Sequence, residues 1–137
     1  MKKIFILLFL GAGASAAAQT PFADCFFDKT MRFDYYHAGD SRSEEYFFDA
    51  LKEEPYWAGS KVSLVDTTGY GNQFFRIVDR ASGREIYSRG FCTLFNEWQS
   101  TPEADSVRRS YPESVVFPYP KRPCRIEIFT RNGKGRF

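Results

Sequence analysis

The sequence predicts an all-β protein, an antiparallel β-sandwich of immunoglobulin-like type with at most one or two short helices. Three observations carry this reading. Apolar and polar residues alternate with period two in segment after segment. Runs rich in Gly, Pro, Asp and Ser break these segments at short intervals. About six to eight short strands, each with one apolar face, bury those faces only against a second layer. A small barrel with a crossing helix is the alternative.

The chain has 137 residues and opens with Lys2 and Lys3, an apolar run over residues 4–10, and small residues through Ala18. Residues 1–18 read as a secretory signal peptide cut after Ala16 or Ala18, leaving 19–137 as one accessory-sized β-sandwich domain. The product is expected to be exported: periplasmic, cell-surface associated or secreted. The apolar run is too short for a stable bilayer-spanning helix, and Cys25 lies too far behind it for a lipid anchor. The chain carries 19 basic and 17 acidic residues; removing Lys2 and Lys3 leaves 17 of each, so charge gives no case for nucleic acid.

Residues 21–30 form an aromatic, irregular lead-in. Met31, Phe33 and Tyr35 then alternate with Arg32, Asp34 and Tyr36, a half-buried strand, and "HAGD" over 37–40 turns the chain outward. Residues 46–54 fit either a short helix or a strand, and Pro55 ends either one. Residues 56–60 form a loop anchored by Trp57. Residues 61–66 alternate as a strand with Val62 and Leu64 on one face, until "TTGYG" breaks it.

Residues 73–79 are the next strand. The connection from Asp79 to Arg84 makes a hairpin, and the chain returns over 85–88 with Ile86 inward. Residues 91–98 read as an extended edge strand. Thr101, Pro102 and Glu103 fit a helix start, but the apolar stripe behind them supports only a short turn. Residues 113–117 suggest a brief strand, 118–123 a stiff proline-rich stretch, and 124–129 the last strand. After it the C-terminus shows no closing element, so the chain is either a short gene product or the truncated front of a longer one.

The core is expected to include Phe33, Ile86, Phe91, Phe95 and Trp98, whose large side chains are costly to leave in water. Three cysteines allow at most one internal disulfide. The favoured reading is three small buried hydrophobes that never pair; Cys92 and Cys124, both in strand-like segments, are the more plausible pair if a bond forms.

The segments "MRFDYYHAGD", "YWAG", "RIVDRASGREIYSRGFCTLFNEWQSTPEA" and "ESVVFPYPKRPCRIEIFTRN" resemble, in order and spacing, the N-terminal domain of the IgA-peptidase type of secreted zinc metallopeptidase of Bacteroides-like bacteria. The similarity covers nearly all of residues 26–132. It implies an export signal, a β-sandwich front domain and a separate zinc-dependent catalytic domain behind it. Zinc is therefore expected only in that absent domain, and no cofactor in this chain.

Zinc hydrolysis needs two histidines one helical turn apart and a neighbouring glutamate. This chain has one histidine, His37, which reads as a solvent-facing or locally bonded turn residue. Catalytic, cofactor-binding and metal residues are accordingly expected to be none. A cysteine paired with His37, or paired carboxylates from Asp34, Glu97 and Glu103, have nothing in sequence to orient them. Arg76, Arg80, Arg84 and Arg89 are interleaved with Asp79 and Glu85, which argues against a nucleic-acid platform.

Two roles follow. The first is a non-catalytic domain that positions a covalently following metallopeptidase catalytic domain or engages a protein or glycoprotein substrate. The second is a free-standing secreted glycan- or protein-binding module, with Tyr56, Trp57, Tyr70 and Tyr119 as its surface. No transmembrane segment is expected in the mature chain.

Overall fold

A computed structural model describes residues 21–132, 134, 135 and 137; the leader expected over 1–18 lies outside them. Helix α1 (Phe22–Cys25) leads into strands β1 (Phe26–Asp40), β2 (Ser43–Glu54), β3 (Gln73–Asp79) and β4 (Glu85–Phe91). Helix α2 (Leu94–Gln99) and a 3-10 turn over Pro102–Asp105 precede β5 (Arg109–Pro120) and β6 (Cys124–Thr130). The strands form two packed antiparallel sheets, ordered β2-β1-β5 and β4-β3-β6.

β1 is longer than the sequence suggests at both ends. The lead-in is partly helix and partly strand, and "HAGD" stays in the sheet, with His37 opposite both Tyr46 and Tyr111. The turn falls after Asp40, whose Oδ1 accepts the amides of Arg42 and Ser43 and the Ser43 hydroxyl, each at 2.9 Å. A side chain at Gly39 would run into the Ser43 carbonyl, so glycine is required where the hairpin closes.

The ambiguous stretch becomes β2, and its ambiguity has a structural cause. A bulge between Asp34 and Tyr35 skips Asp49, so Tyr46 and Phe48 share the inward face with Leu51 rather than with Ala50. The i, i+3 spacing of Phe48 and Leu51 imitates a helix. Residues 61–66, expected as a strand, form none. Leu64 is buried and its carbonyl accepts the Ser88 amide at 3.0 Å, while Val62 is left exposed. Asp66 Oδ2 accepts the Gly90 amide at 2.8 Å, so this loop seals the outer edge of β4.

The hairpin after β3 forms as expected. Asp79 accepts the Gly83 amide at 2.9 Å and the Ser82 hydroxyl at 2.6 Å. The edge strand expected over 91–98 is instead α2. Thr93 caps it, its Oγ1 accepting the Asn96 amide at 3.2 Å, and Phe95 and Trp98 fall on one buried face. The expected short turn follows at Pro102–Asp105, although the Thr101 hydroxyl donates to the Trp98 carbonyl instead of capping. β5 absorbs the brief strand and the first half of the proline-rich stretch, ending at Pro120. Pro112, Pro118 and Pro120 lie on an edge strand, where missing donors are tolerated.

Phe26, Tyr35, Phe75, Ile77, Ile86, Tyr87, Val115 and Phe117 fill the space between the sheets. Phe95, Trp98 and Ala104 make a smaller cluster with Tyr111. The Cys92–Cys124 pair is overturned by register, and Cys92 is exposed rather than a buried hydrophobe. Gln73 opposes Phe91, the neighbour of Cys92, whereas Asp79 at the other end of β3 opposes Cys124. That separation is about 20 Å at the usual strand rise, and a disulfide spans Cα atoms only roughly 7 Å apart.

Candidate functional site

The sandwich leaves part of its own interior face open. Met31, Phe33, Phe48 and Leu51 follow from the β1–β2 register as inward residues, yet Phe48 is 65% and Leu51 51% exposed. Their rings and chains continue the core outward: Phe33 lies 5.6 Å from Tyr35 and 5.7 Å from Phe48 between ring centroids. A groove of about 240 Å³ runs between Leu51 and Met31 on one side and Cys124 and Ile126 of β6 on the other, with Phe117 and Tyr119 also lining it.

The edge strands of the two sheets are treated differently. A loop covers β4, and prolines interrupt β5. No strand among the described residues pairs with the outer edge of β6, whose Ile126 and Ile128 are half-buried. Arg125 and Glu127 alternate with these isoleucines and meet each other at 2.6 Å, Glu127 also binding Arg76 at 2.5 Å. The result is an apolar trough beside an unpaired strand edge, suited to burying a partner's apolar surface.

At the other end of the first sheet lies a polar joint that sequence reading missed. His37 is fully buried, not solvent-facing. Its Nε2 lies 3.0 Å from Glu44 and its Nδ1 3.1 Å from Glu113, while the ring stacks between Tyr46 and Phe95 at 4.3 and 3.9 Å. Glu113 also accepts the Phe95 amide at 3.3 Å, so the joint fastens α2 to the sheet. Among the described residues no group of His, Cys, Asp and Glu is arranged to hold a metal.

The expected surface aromatics are dispersed. Tyr56 is exposed, and Trp57 packs edge-on against Tyr87 at 5.7 Å while its Nε1 donates to the Ser60 carbonyl at 3.1 Å. Tyr70 borders a separate polar depression with Ser63, Asp66, Thr68 and Arg89. Tyr119 lies beside Phe27 and lines the apolar groove. Of the expected core residues, Ile86, Phe95 and Trp98 are buried, whereas Phe33 and Phe91 are half-buried. The Arg89 guanidinium is held by the Ser63, Leu64 and Ser88 carbonyls.

As a class the described residues form an antiparallel two-sheet β domain with part of its apolar face open. The family described as the peptidase M64 N-terminus matches residues 21–137, and the chain belongs to it. It is thus the non-catalytic N-terminal domain of an M64-type zinc peptidase, as the motif resemblance implied. No curated protein matches the sequence. No helix among the described residues is long and apolar enough to cross a membrane.

Proposed function

We propose that this domain positions the catalytic domain of its peptidase by docking it on the groove between β2 and β6. The observation that carries the reading is the exposure of Phe48 and Leu51 on a face that the β1–β2 register assigns to the interior. Burying such side chains contributes about 1.5–3 kcal/mol each, enough for a few of them to fix two domains relative to one another. The zinc and its ligands belong to the following domain. Residues 19–137 act as one immunoglobulin-like accessory domain, exported behind the 1–18 leader to the periplasm, cell surface or exterior.

Hydrogen exchange tests the docking. The chain is compared alone and joined to an M64 catalytic domain, and protection is expected over residues 46–53 and 124–130. Unchanged exchange there would overturn the assignment of the face.

A second reading, a secreted glycan- or protein-binding module, is supported by Tyr70, 78% exposed beside a depression bearing hydroxyls, a carboxylate and a guanidinium. It predicts retention on a glycan or glycoprotein surface that Tyr70→Ala abolishes and Phe48→Lys leaves intact.

A further inference from the structure

The three cysteines are thiols of very different setting: Cys25 buried, Cys124 half-buried and Cys92 exposed. Cys25 ends α1, and its carbonyl accepts the Lys121 amide at 2.8 Å, three residues before Cys124. The same turn is tied to α1 twice more, Lys121 Nζ donating to the Ala23 carbonyl at 2.6 Å and Arg122 to the Asp24 carbonyl at 3.4 Å. Cys25 belongs to the main core, and Cys124 packs against that core. Burial pushes the Cys124 thiol up to about 11, with the nearby charges of Asp79 and of Cys25 itself adding to the rise. Cys92 stands at the far end of β3, out of reach of Cys124.

We propose that Cys25 and Cys124 are a disulfide pair that closes when the folded chain meets a disulfide-bearing oxidant, tying α1 to β6 and leaving Cys92 a free thiol. The Cys124 Sγ now donates to the Arg122 carbonyl at 3.2 Å and is the more accessible of the two. As a thiolate it attacks the donor disulfide, and one donor thiol departs. Cys25 then attacks the mixed disulfide at the Cys124 sulfur and the second donor thiol departs. Two protein thiols are oxidised to one disulfide, the donor disulfide is reduced to two thiols, and the two protons pass to the departing sulfurs. Closure fixes the Cys124 end of β6, one wall of the groove.

The test uses the purified full chain carrying Cys92→Ser, a change at an exposed position, incubated folded with oxidised glutathione. Free thiols are alkylated in denaturant before and after reduction, and the peptides are mapped by mass. The expected result is no alkylated cysteine before reduction, two after it, and a linked Cys25–Cys124 peptide two hydrogens lighter than its parts. Both cysteines alkylated before reduction, or each capped by its own glutathione, overturns the pairing.

A second readout guards against a fold effect of substitution. Reducing the oxidised chain should lower its thermal midpoint by on the order of 10 °C, because the bond closes a long loop. The same chain with Cys25→Ser should be indifferent to reductant. A midpoint that does not respond to reduction in the parent overturns the proposal.

Discussion

Glu113 joins His37 to helix α2: its Oε2 lies 3.1 Å from the imidazole Nδ1, and its Oε1 accepts the Phe95 amide at 3.3 Å. Glu44 holds the opposite nitrogen at 3.0 Å. The ring, enclosed and stacked between Tyr46 and Phe95, turns three distant parts of the chain into one unit.

This joint gives stability a pH dependence of known sign. Burial pushes the His37 pKa down, but the hydrogen bonds and charges of Glu113 and Glu44 outweigh it and hold the pKa above the ordinary 6.5. Its contribution is therefore complete below the unfolded pKa and is lost as pH rises through the folded one. Burial also raises the Glu44 pKa, but its bonds to His37, Thr130 and Tyr46 lower it further, below the ordinary 4.5, so its contribution is lost as pH falls. Burial keeps the neighbouring Tyr35 and Tyr46 hydroxyls neutral, the latter pushed up to about 12. The urea midpoint should peak between about pH 4.5 and 6.5 and fall on either side. His37→Gln should flatten the alkaline limb. His37→Ala should cost about 3–5 kcal/mol by leaving Glu113 buried without its partner. A wild-type midpoint that climbs steadily from about pH 6 to 8 contradicts this account.

The elements that were legible are those whose alternation is unbroken. In β3, alternation holds over residues 75–77, ahead of the irregularity between Ile77 and Val78: Phe75 and Ile77 face inward and Arg76 outward, and the Gly83 amide closes the hairpin, so local pattern and tertiary packing agree. β2 was not legible because the bulge at Asp34/Tyr35 changes which residues share a face. α2 imitates a strand through its crowded aromatics. The Thr93–Asn96 cap was the available signal for a helix there, and it is short. From sequence His37 reads as a solvent-facing or locally bonded turn residue, because its partners are 7 and 76 residues away. The groove was beyond sequence altogether, since it depends on how far the second sheet extends over the first.

Trp98 closes the smaller core cluster, 8% exposed, with ring neighbours Phe95 at 5.7 Å and Tyr111 at 5.9 Å. Its Nε1 donates to Glu103 at 2.7 Å, linking α2 to the 3-10 turn. Trp98→Ala should lower the unfolding free energy by about 3–5 kcal/mol. Trp98→Phe, which keeps most of the ring but not the hydrogen bond, should cost less. Unfolding curves that superimpose on wild type would remove Trp98 from the core.

At Gly90 the covering loop runs tight against β4. A side chain there would strike the Tyr70 carbonyl, and the Gly90 amide already holds Asp66 at 2.8 Å. Gly90→Ala should therefore lift the loop, cost about 1–3 kcal/mol and expose the outer edge of β4. Urea unfolding measures the loss. Light scattering should show the uncovered edge as increased self-association, and a variant as stable and as monodisperse as wild type would refute the sealing role of the loop.

Phe48 and Leu51 separate docking from folding. Both face the interior side of β2, yet more than half of each is exposed, so the isolated domain gains little from them. Phe48→Lys and Leu51→Lys should leave the unfolding free energy of the domain within about 0.5 kcal/mol of wild type. Joined to an M64 catalytic domain, the double variant should lose the exchange protection expected over 46–53 and 124–130 and make the two parts unfold independently. The informative contrast is Ile77→Ala, wholly buried between the sheets, which should cost about 2–5 kcal/mol whether or not a partner is present. If the lysine variants destabilise the isolated domain as much as Ile77→Ala does, the face belongs to the core of this domain and the docking assignment fails. If they spare the domain and uncouple the pair, the open face is the interface.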